Sequence, residues 1–400
     1  MKKLLLFALF LPFVTNAQQA DSIKGDFQKG THWYDNVSFR GFVQFRYNRL
    51  LETNPKLKCE ACDKSMGDDG GLFLRRARLI FYGQVSERVY FLIHEDLVSA
   101  ASTSGLNYGQ LRDAFMDLGL DKKNEFRIRL GQSKVPYGFE NMQSSQFRSP
   151  LDRSDAINSG IPNEHDLAAL FYWSPTNVKK RFADMSNDRM KGSGDYGVVA
   201  FGVFNGQTLD KPELNNELHV VGRVAYPFKI GNQIIEPSLQ AYTGHYVIAT
   251  DQMSTGVKVK YDRSYLDQRA AASFVLYPRP FGIQAEYNIG VGPEFIKVTD
   301  SIEDKKLQGG YILFNYAMKY KKQYIYPFVR LQYYSGGKKN ELDARSYTVN
   351  EFEGGIEWLP IKNFELTAQY TISSRRFEDY KNQDNLQKGN LLRLQAQVNF

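Results

Sequence analysis

Three arginines interrupt an otherwise apolar stretch, GGLFLRRARLIFYG, at residues 70–83. Arg75, Arg76 and Arg78 carry planar guanidinium forks, whose geometry suits bidentate binding of phosphate, carboxylate and other oxyanions. An unpaired charge in an apolar interior is costly, so the stretch predicts a strand with one face in water or against a charged partner. Anion binding is the chemistry that these residue types favour.

The histidines do not indicate catalysis or a bound metal. His32, His94, His165, His219 and His245 are scattered, and none stands in a Gly-x-Ser-x-Gly or His-Glu-x-x-His setting. No cluster of His, Cys and carboxylates has the spacing of metal ligands. We therefore expect neither an enzyme nor a cofactor, and each histidine is interpreted as a pore, loop or girdle residue.

The two cysteines of the chain, Cys59 and Cys62, lie in the stretch KCEACDK. In an exported protein such a pair can close a small disulfide within a loop. Half of a zinc site and two free thiols are the alternatives. A redox motif is not indicated, because the pair does not follow a strand that leads into a helix.

The first residues indicate export. A basic start, an apolar run through Val14 and the small Ala17 are typical of a signal peptide, here residues 1–17. Residues 18–36 would form an N-terminal periplasmic segment, and residues 37–400 a single transmembrane domain. No later apolar run reaches the roughly 20 residues that a membrane-spanning helix needs, so a closed barrel is the membrane architecture that remains.

The composition fits a barrel with a wet interior better than a nucleic-acid-binding protein. The formal charge is +7, and removal of Lys2 and Lys3 with the signal peptide would leave 7 − 2 = +5, which is too small an excess to indicate a nucleic-acid partner. Aromatic residues make up 14% of the chain, with 28 Phe and 25 Tyr. Aromatic girdles at the two membrane interfaces would account for them.

Period-2 alternation recurs along the mature chain, and 3.6-residue periodicity is almost absent. In the last ten residues, LLRLQAQVNF, apolar and polar side chains fall on opposite faces. With the turn signals, the alternation gives sixteen strands, an even number as bacterial barrels require. It therefore predicts an all-β, sixteen-stranded antiparallel transmembrane barrel. A secreted soluble sandwich is the alternative, but it would have shorter strands and a dry core. The predicted strands cover residues 37–49, 72–85, 88–97, 109–120, 125–136, 166–174, 195–205, 217–228, 233–244, 266–278, 279–290, 306–320, 323–335, 347–359, 361–375 and 388–400.

The connections between these strands alternate between tight and long. The long ones, such as 50–71, 137–165, 245–265 and 336–346, fit extracellular loops, and the tight ones fit periplasmic turns. The connection 174–195 breaks the rhythm, because it is long where a tight turn is expected. Either a strand is misassigned there or the periplasmic side carries an insertion.

Alternation also assigns each strand residue to the lipid or to the lumen. Leu79 and Phe81 have the lipid-facing parity, so Arg76 and Arg78 are expected to point into the lumen. Arg75 has the lipid-facing parity and would lie at the outer rim, where a charge costs little. The alternative is a β-bulge that turns Arg75 inward.

The positions assigned to the lumen carry eleven bases and nine acids. Six of the bases but three of the acids belong to the first five strands, so a basic wall would face a more acidic one. Arginine and lysine rings select anions in pores. The alternative is that these arginines pair with carboxylates and only set the pore size. The inward bases are Arg40, Arg46, Arg76, Arg78, Arg127, Arg129, Arg223, Arg269, Lys319, Arg330 and Arg393, and the inward acids are Asp96, Asp113, Asp117, Glu236, Glu286, Glu351, Glu353, Glu357 and Glu365.

Three stretches are similar to those of a known family. LFLRRARLIFYGQVSERVYFLIHEDL, then LRDAFMDLGL followed by FRIRLGQSKVPYGFE, and then GVVAFGVFNG together resemble the phosphate-selective porins O and P. The likeness continues in order to the last strand. The resemblance implies a sixteen-stranded outer-membrane barrel, usually a homotrimer, with inward loops that narrow the pore. It further implies a ladder of arginines and one lysine that leads phosphate or polyphosphate through.

The resemblance assigns individual residues to this ladder. By motif, Arg75, Arg76 and Arg78 match the arginine-rich strand, and Lys134 of GQSKVPYG matches the lysine. Lys134 has the lipid-facing parity of its strand. It would reach the pore only if the strand bulges near Gly131 or has already ended.

The connection 137–165 lies where a loop would fold into the lumen as the constriction. Its Arg148 and Arg153 would line that constriction. The alternative is that both are solvated or paired with Asp152 and Asp155.

The sequence as a whole predicts an integral outer-membrane porin that allows passive diffusion of small solutes, with anions favoured and phosphate as the suspected class. The acidic residues Glu351, Glu353 and Glu357 depart from an all-basic channel. Small anions, outer-membrane lipid and further copies of the chain are the expected partners. The alternative is a surface-binding or adhesion protein that works through its extracellular loops, with the barrel as an anchor. The predicted anion path consists of Arg40, Arg46, Arg75, Arg76, Arg78, Arg127, Arg129, Lys134, Arg148 and Arg153.

Overall fold

A computed structural model describes residues 32–50, 71–98 and 109–400. These residues form one antiparallel sheet that closes on itself, because the first strand pairs with both the second strand and the last. The predicted signal peptide, most of the predicted periplasmic segment and both cysteines lie outside the described residues. No helix in the described ranges is long and apolar enough to cross a membrane.

Sixteen strands form the wall, and each pairs with its neighbours in sequence. We number them β1 to β16; short irregularities divide β8 and β12 into two pieces each. Both ends of the barrel chain, at β1 and β16, lie on the side that carries the tight connections, which we call the short-turn end. The strands are β1 Val37–Leu50, β2 Gly71–Gln84, β3 Val89–Asp96, β4 Gln110–Gly119, β5 Phe126–Lys134, β6 His165–Trp173, β7 Val199–Phe204, β8 His219–Ala225 with Phe228–Ile230, β9 Gln233–Val247, β10 Ser264–Leu276, β11 Phe281–Ile296, β12 Ser301–Tyr316 with Met318–Tyr320, β13 Gln323–Gly337, β14 Ser346–Ile361, β15 Phe364–Glu378 and β16 Leu386–Asn399.

The structure confirms the all-β class and the strand count predicted from the alternation. The largest difference concerns β11 and β12, which the sequence separates by residues 291–305 and the structure joins by a tight turn at residues 297–300. Three consecutive residues of this hairpin, Asp304, Lys305 and Lys306, are exposed. Both faces of the hairpin meet water there, so its side chains need not alternate and the period-2 signal is lost.

Side chains alternate between an outer apolar face and a densely packed lumen. In β9, Leu239 is 68% exposed on the outer face, whereas the next residue, Gln240, is 3% exposed inside. Polar residues fill the inner face, because water and the segments that enter the barrel can satisfy their hydrogen bonds, which lipid cannot do.

The barrel closes between β1 and β16, and Phe400 extends this seam. The backbone N–H of Gly41 donates to the carbonyl of Phe400 at 2.8 Å, and the N–H of Phe400 donates to the carbonyl of Gly41 at 3.0 Å. A Cβ atom at Gly41 would meet the Phe400 ring at 2.7 Å. Glycine therefore permits the aromatic C-terminus to lie against the seam.

Residues 135–164, here called the inward segment, fold into the lumen as predicted for the constriction loop. They contain two short helices, α1 Phe139–Met142 and α2 Asp155–Asn158. The carboxylate of Glu286 on β11 accepts hydrogen bonds from the backbone N–H groups of Phe139 and Glu140 at 2.6 and 2.9 Å. The wall thus satisfies backbone donors that the segment would otherwise bury unpaired.

The connection between β6 and β7 is an insertion and not a misassigned strand. It contains the helix α3, Thr176–Asn187, whose Val178, Phe182 and Met185 are buried. Their spacing places them on one face of the helix. That face packs inside the barrel against Tyr277 and the inward segment's Phe139. The short-turn end therefore has its own inward element.

Candidate functional site

A β-bulge between β1 and β2 places two consecutive arginines in the lumen. Gln44 pairs with Arg76 and Phe45 pairs with Leu74, so Arg75 is the additional residue. At a bulge, two neighbouring residues of one strand oppose a single residue of the other, which locally interrupts the alternation. The predicted position of Arg75 at the lipid-facing rim is therefore wrong, and the bulge alternative is correct.

A second bulge lies two strands further on, between β3 and β4. His94 pairs with Asp113 and Glu95 pairs with Leu111, which leaves Arg112 as the additional residue. Arg112 and Asp113 are 8% and 7% exposed, so both face inward. Sequence reasoning missed Arg112, because strict alternation gives it the lipid-facing parity.

Asp152 of the inward segment binds three arginines. Its carboxylate oxygens lie 3.0 Å from Arg46, 2.6 Å from Arg393 and 3.4 Å from Arg75. Burial alone would raise the pKa of Asp152, but these three guanidinium groups outweigh burial and hold the pKa well below its usual range. Arg393 also pairs with Glu353 at 3.1 Å, whereas Arg46 and Arg75 share Asp152, so positive charge is in excess here.

Arg76, Arg112 and Arg148 form what we call the unmatched arginine cluster. They are 5%, 8% and 5% exposed. Six of their nitrogens have no hydrogen-bond partner among the described residues: Nε of Arg76, Nε and Nη1 of Arg112, and all three of Arg148. Arg76 donates to Gln44 through Nη1 at 2.9 Å, and Asp96 lies 3.9 Å from Nε of Arg112. Buried donors normally have acceptors, so this cluster suits the oxygens of an anion.

Like charges surround Arg76, whereas Arg112 and Arg148 also have carboxylates nearby. Four arginines, and no carboxylate, are the charges that act most strongly on Arg76, and Arg148 is one of them. Burial, and then the neighbouring guanidinium of Arg153, lower the pKa of Arg148 to about 9. Arg148 therefore stays protonated at neutral pH, although its surroundings disfavour the charge. A bound anion would relieve that penalty.

Two further residues of the predicted path contact the inward segment. Arg78 donates from Nε to Asp96 at 2.7 Å and from Nη1 to Ser145 Oγ at 3.2 Å. Lys134 is 8% exposed, and its Nζ donates to two main-chain carbonyls at the end of α1, those of Met142 and Gln143, at 2.8 and 3.1 Å. Gly131, three residues earlier, has a φ of +121°, a conformation that favours glycine and alters the course of the strand. Lys134 thus faces inward despite its parity.

Arg153 and Arg40 complete the predicted residues on this side. Arg153 pairs with Glu164 at 2.6 Å, and not with the aspartates that the sequence offered as partners. Arg153 also donates to the main-chain carbonyl of Glu140 at 3.0 Å. The guanidinium of Arg40 lies 5.3 Å from the ring centroid of Tyr82. These contacts tie Arg153 to the body of the inward segment and Arg40 to the wall.

Near the short-turn end, the predicted path residues have carboxylate partners. Arg129 donates to both oxygens of Asp117, at 2.7 and 2.9 Å. Arg127 pairs with Asp195 at 2.8 Å. The charges of this pair of arginines are matched one to one, in contrast to the unmatched arginine cluster.

On the opposite wall, Arg330 of β13 lies between two carboxylates. It pairs with Glu353 of β14 and, at 2.7 Å, with Glu140 of the inward segment. All three side chains are buried. Glu353, one of the predicted acidic residues that depart from an all-basic channel, therefore neutralises a wall arginine.

A second group of bases on this wall is matched in the same way. Arg375 of β15 pairs with Asp155 at 2.8 Å and with Glu351 at 2.7 Å, and Lys338 pairs with Asp155 at 2.5 Å. The inward segment thus docks through its own carboxylates. We call these residues the paired network: Arg330, Lys338, Arg375, Glu140, Asp155, Glu351 and Glu353.

Two further bases, Lys319 and Arg375, differ from the prediction. Lys319, predicted to face inward, is exposed, and its Nζ lies 5.6 Å from the ring centroid of Tyr324. It belongs to the short second piece of β12, beyond the irregularity that interrupts the strand. Arg375 was missed, although it has the same parity as Glu365, which the alternation correctly placed inside.

His94 and His165 share one carboxylate in the lumen. Oδ2 of Asp113 lies 2.8 Å from Nδ1 of His94 and 3.2 Å from Nε2 of His165. No group of three or more His, Cys, Asp or Glu residues in the described ranges could hold a metal ion. Through Asp113, His94 and His165 belong to the hydrogen-bond network of the lumen.

Solved structures with the same fold are outer-membrane barrels. The outer-membrane channel DcaP of Acinetobacter baumannii is 14% identical, with a TM-score of 0.58 over 91% of this chain and 97% of that one. OmpF of Salmonella typhi, in complex with daunomycin, is 13% identical, with a TM-score of 0.55 over 91% and 98%. The trimer form of OmpT of Vibrio cholerae is 9% identical, with a TM-score of 0.51 over 91% and 99%. At these identities the likeness concerns the fold.

The family comparison agrees with the resemblance of the arginine-rich strand. No curated protein matches the sequence. The sequence model of the family described as phosphate-selective porin O and P matches residues 58–400, which include all of β2 to β16. The family and the fold indicate an outer-membrane channel and not an enzyme. This chain therefore belongs to the phosphate-selective porin O and P family.

Proposed function

We propose that this channel allows passive diffusion of small anions, with phosphate and related oxyanions as its preferred class. The observation that carries the proposal is the unmatched arginine cluster, six of whose buried nitrogens have no hydrogen-bond acceptor among the described residues. The cluster combines two strands of the wall, β2 and β4, which β3 separates, with the inward segment. An anion that passes between them would meet donors from more than one side.

Phosphate suits this arrangement by its shape. Its tetrahedral oxygens accept several charge-assisted hydrogen bonds at once, and guanidinium forks offer pairs of donors. Chloride would be attracted by the same charges but offers no matching oxygens. The cluster therefore supports a preference among anions as well as a preference for anions over cations.

The neighbouring carboxylates keep the binding weak enough for passage. Asp152 and Asp96 each lie beside arginines of the same wall, and they lower the positive potential without neutralising it. Conduction requires a site that an ion can enter and also leave. We infer a shallow oxyanion site along the path and not a tight receptor.

Block of chloride current by phosphate tests this function. The purified full-length protein, reconstituted in a planar bilayer with chloride as the main anion, should lose current when millimolar inorganic phosphate is added. The double variant Arg223→Gln with Glu236→Gln, which removes a matched lumen pair joined at 2.8 Å, should be blocked in the same way. Chloride current that phosphate does not change would contradict the oxyanion preference and leave a general porin.

We also propose that the channel is a homotrimer. OmpT of Vibrio cholerae has the same barrel fold and was solved in a trimer form, and the family resemblance favours the same assembly. Unheated gel electrophoresis and native mass spectrometry of the detergent-solubilised protein should give three chains per particle. A monomer by both methods would contradict this assembly.

The N-terminal organisation remains a prediction that is simple to check. We propose that residues 1–17 are removed on export and that residues 18–36 lie on the periplasmic side. N-terminal sequencing of the protein purified from outer membranes should begin at Gln18. A start at Met1 would contradict the cleavage.

A further inference from the structure

The segment between β6 and β7 crosses the barrel at the short-turn end, which is the periplasmic end in outer-membrane barrels. It leaves the wall after Trp173 and rejoins it at Val199. Its tip reaches β14, seven strands beyond β7 in a wall of sixteen, and hence nearly the opposite side. We call residues 174–198 the crossing segment.

Polar contacts hold the tip of the crossing segment to the far wall. Lys191 forms an ion pair with the buried carboxylate of Glu357 on β14. The guanidinium of Arg189 donates to the carbonyl of Lys362 at 3.0 Å, and the hydroxyl of Tyr326 donates to the carbonyl of Arg189 at 3.3 Å. Contacts of this kind can exchange for water when the tip moves away.

The crossing segment also meets the inward segment inside the barrel. Phe182 and Met190 belong to the same buried apolar cluster as Phe139 of α1. The side chain of Gln143 donates to the carbonyl of Lys191 at 2.5 Å. One element enters from each end of the barrel, and the two touch.

The anion path ends at the crossing segment. A cavity of about 50 Å³ has Arg78 and Lys134 on the arginine side and Ser186, Ser193 and Gly194 on the side of the crossing segment. Sites that hold small molecules typically have about 300–1,000 Å³. An ion that leaves the arginines towards the periplasm therefore meets the crossing segment, and this conformation leaves it little room.

The return half of the crossing segment is rich in glycine. Gly192, Gly194 and Gly197 lie within six residues, and the last two have φ values of +100° and +80°. Glycine adopts both signs of φ, so such residues absorb large changes of backbone direction. The segment therefore has a point about which its tip can move while β6 and β7 stay in the wall.

We propose that the crossing segment is a periplasmic gate, closed in this structure, which opens when its tip leaves Glu357 and moves out of the barrel mouth. The gate rests on the proposed channel function, since it acts on the path of the permeating ion. The ion pair between Lys191 and Glu357 is its latch.

Single-channel recording of the full-length protein tests the gate. Lys191→Glu places a second negative charge against Glu357, so the fraction of time in the open state should rise by about tenfold or more. Exchanging the two charges, Lys191→Glu with Glu357→Lys, should restore the wild-type record. The matched control is Lys180→Glu, which makes the same charge change at an exposed position of α3 and should have no effect.

A second variant keeps the test decisive if Lys191→Glu does not fold. Arg189→Ala removes the hydrogen bond to Lys362 without burying a new charge, and it should also increase the open time. If Lys191→Glu and Arg189→Ala both give the same open time as the wild type, the gate is overturned. Absence of current in the wild type and in every variant would overturn the channel function itself, and the gate with it.

Discussion

The two sides of the lumen use the same side chain for different purposes. In the paired network, Arg330 lies between Glu140 and Glu353, and each positive charge has a nearby carboxylate. In the unmatched arginine cluster, Arg76 and Arg148 lie beside further arginines, and most of their donors have no acceptor among the described residues. The identity of the residue does not separate these roles, but the carboxylates around it do.

This difference bears on the choice between an anion ladder and a structural ladder. The paired network is the structural one. The paired network fastens the inward segment to β13, β14 and β15, because the carboxylates of Glu140 and Asp155 belong to that segment. The opposite wall keeps an excess of positive charge, and we propose that this excess attracts the permeating anion.

Breaking the paired network should have the largest effect. Arg330→Gln would leave the buried Glu140 without its arginine and Glu353 with Arg393 alone, so the free energy of unfolding should fall by about 3–5 kcal/mol. Urea unfolding measures this change, with the loss of heat-modifiable gel mobility as the recorded signal. Arg148→Gln is the matched control, since it removes the same group where no carboxylate is paired with it. Equal destabilisation by the two substitutions would contradict the distinction between the two walls.

The anion preference should depend on the protonation of Arg148. Its pKa is lowered to about 9, so the charge is present at pH 7 and is lost as the pH rises through that value. Raising the bath from about pH 7 to about pH 10 should therefore weaken phosphate block of chloride current. Arg148→Gln should show a smaller change over the same range, because it has no charge to lose there. An identical pH dependence in both proteins would exclude Arg148 as its source.

The smallest effect is expected where the positive charge is kept and the shape of the group that carries it is changed. Arg112→Lys preserves the positive charge at the second bulge but replaces the planar fork by a point charge. Phosphate block should weaken by about threefold, which corresponds to one weakened hydrogen bond, while the preference for anions over cations stays the same. Recording both quantities in one bilayer separates fork geometry from charge. Phosphate block equal to that of the wild type would show that charge alone explains Arg112.

Alternation predicted the barrel well because lipid and lumen impose opposite polarity on successive residues. It assigned Arg76, Arg78 and Arg330 to the correct face. It failed where the backbone departs from a regular strand, at the bulges that turn Arg75 and Arg112 inward. A bulge shifts parity by one residue and leaves no unambiguous mark in a single sequence.

The partners of the lumen charges were beyond sequence reasoning. Asp152 is 106 residues from Arg46 and 241 from Arg393, and the inward segment that carries it has no regular pattern. The helix α3 did leave a signal, since Val178, Phe182 and Met185 have helical spacing. That signal covers only about two turns, and strand alternation surrounds it on both sides.

The zero-current potential in a salt gradient tests the central claim most directly. The double variant Arg76→Gln with Arg148→Gln removes two charges that have no carboxylate partner, so it should fold as the wild type does. The ratio of anion to cation permeability should fall by about tenfold, equivalent to about 1.4 kcal/mol, while Lys179→Gln with Lys180→Gln on α3 should leave it unchanged. A zero-current potential equal to that of the wild type would contradict the account, because the unmatched arginine cluster would then not act on the permeating ion.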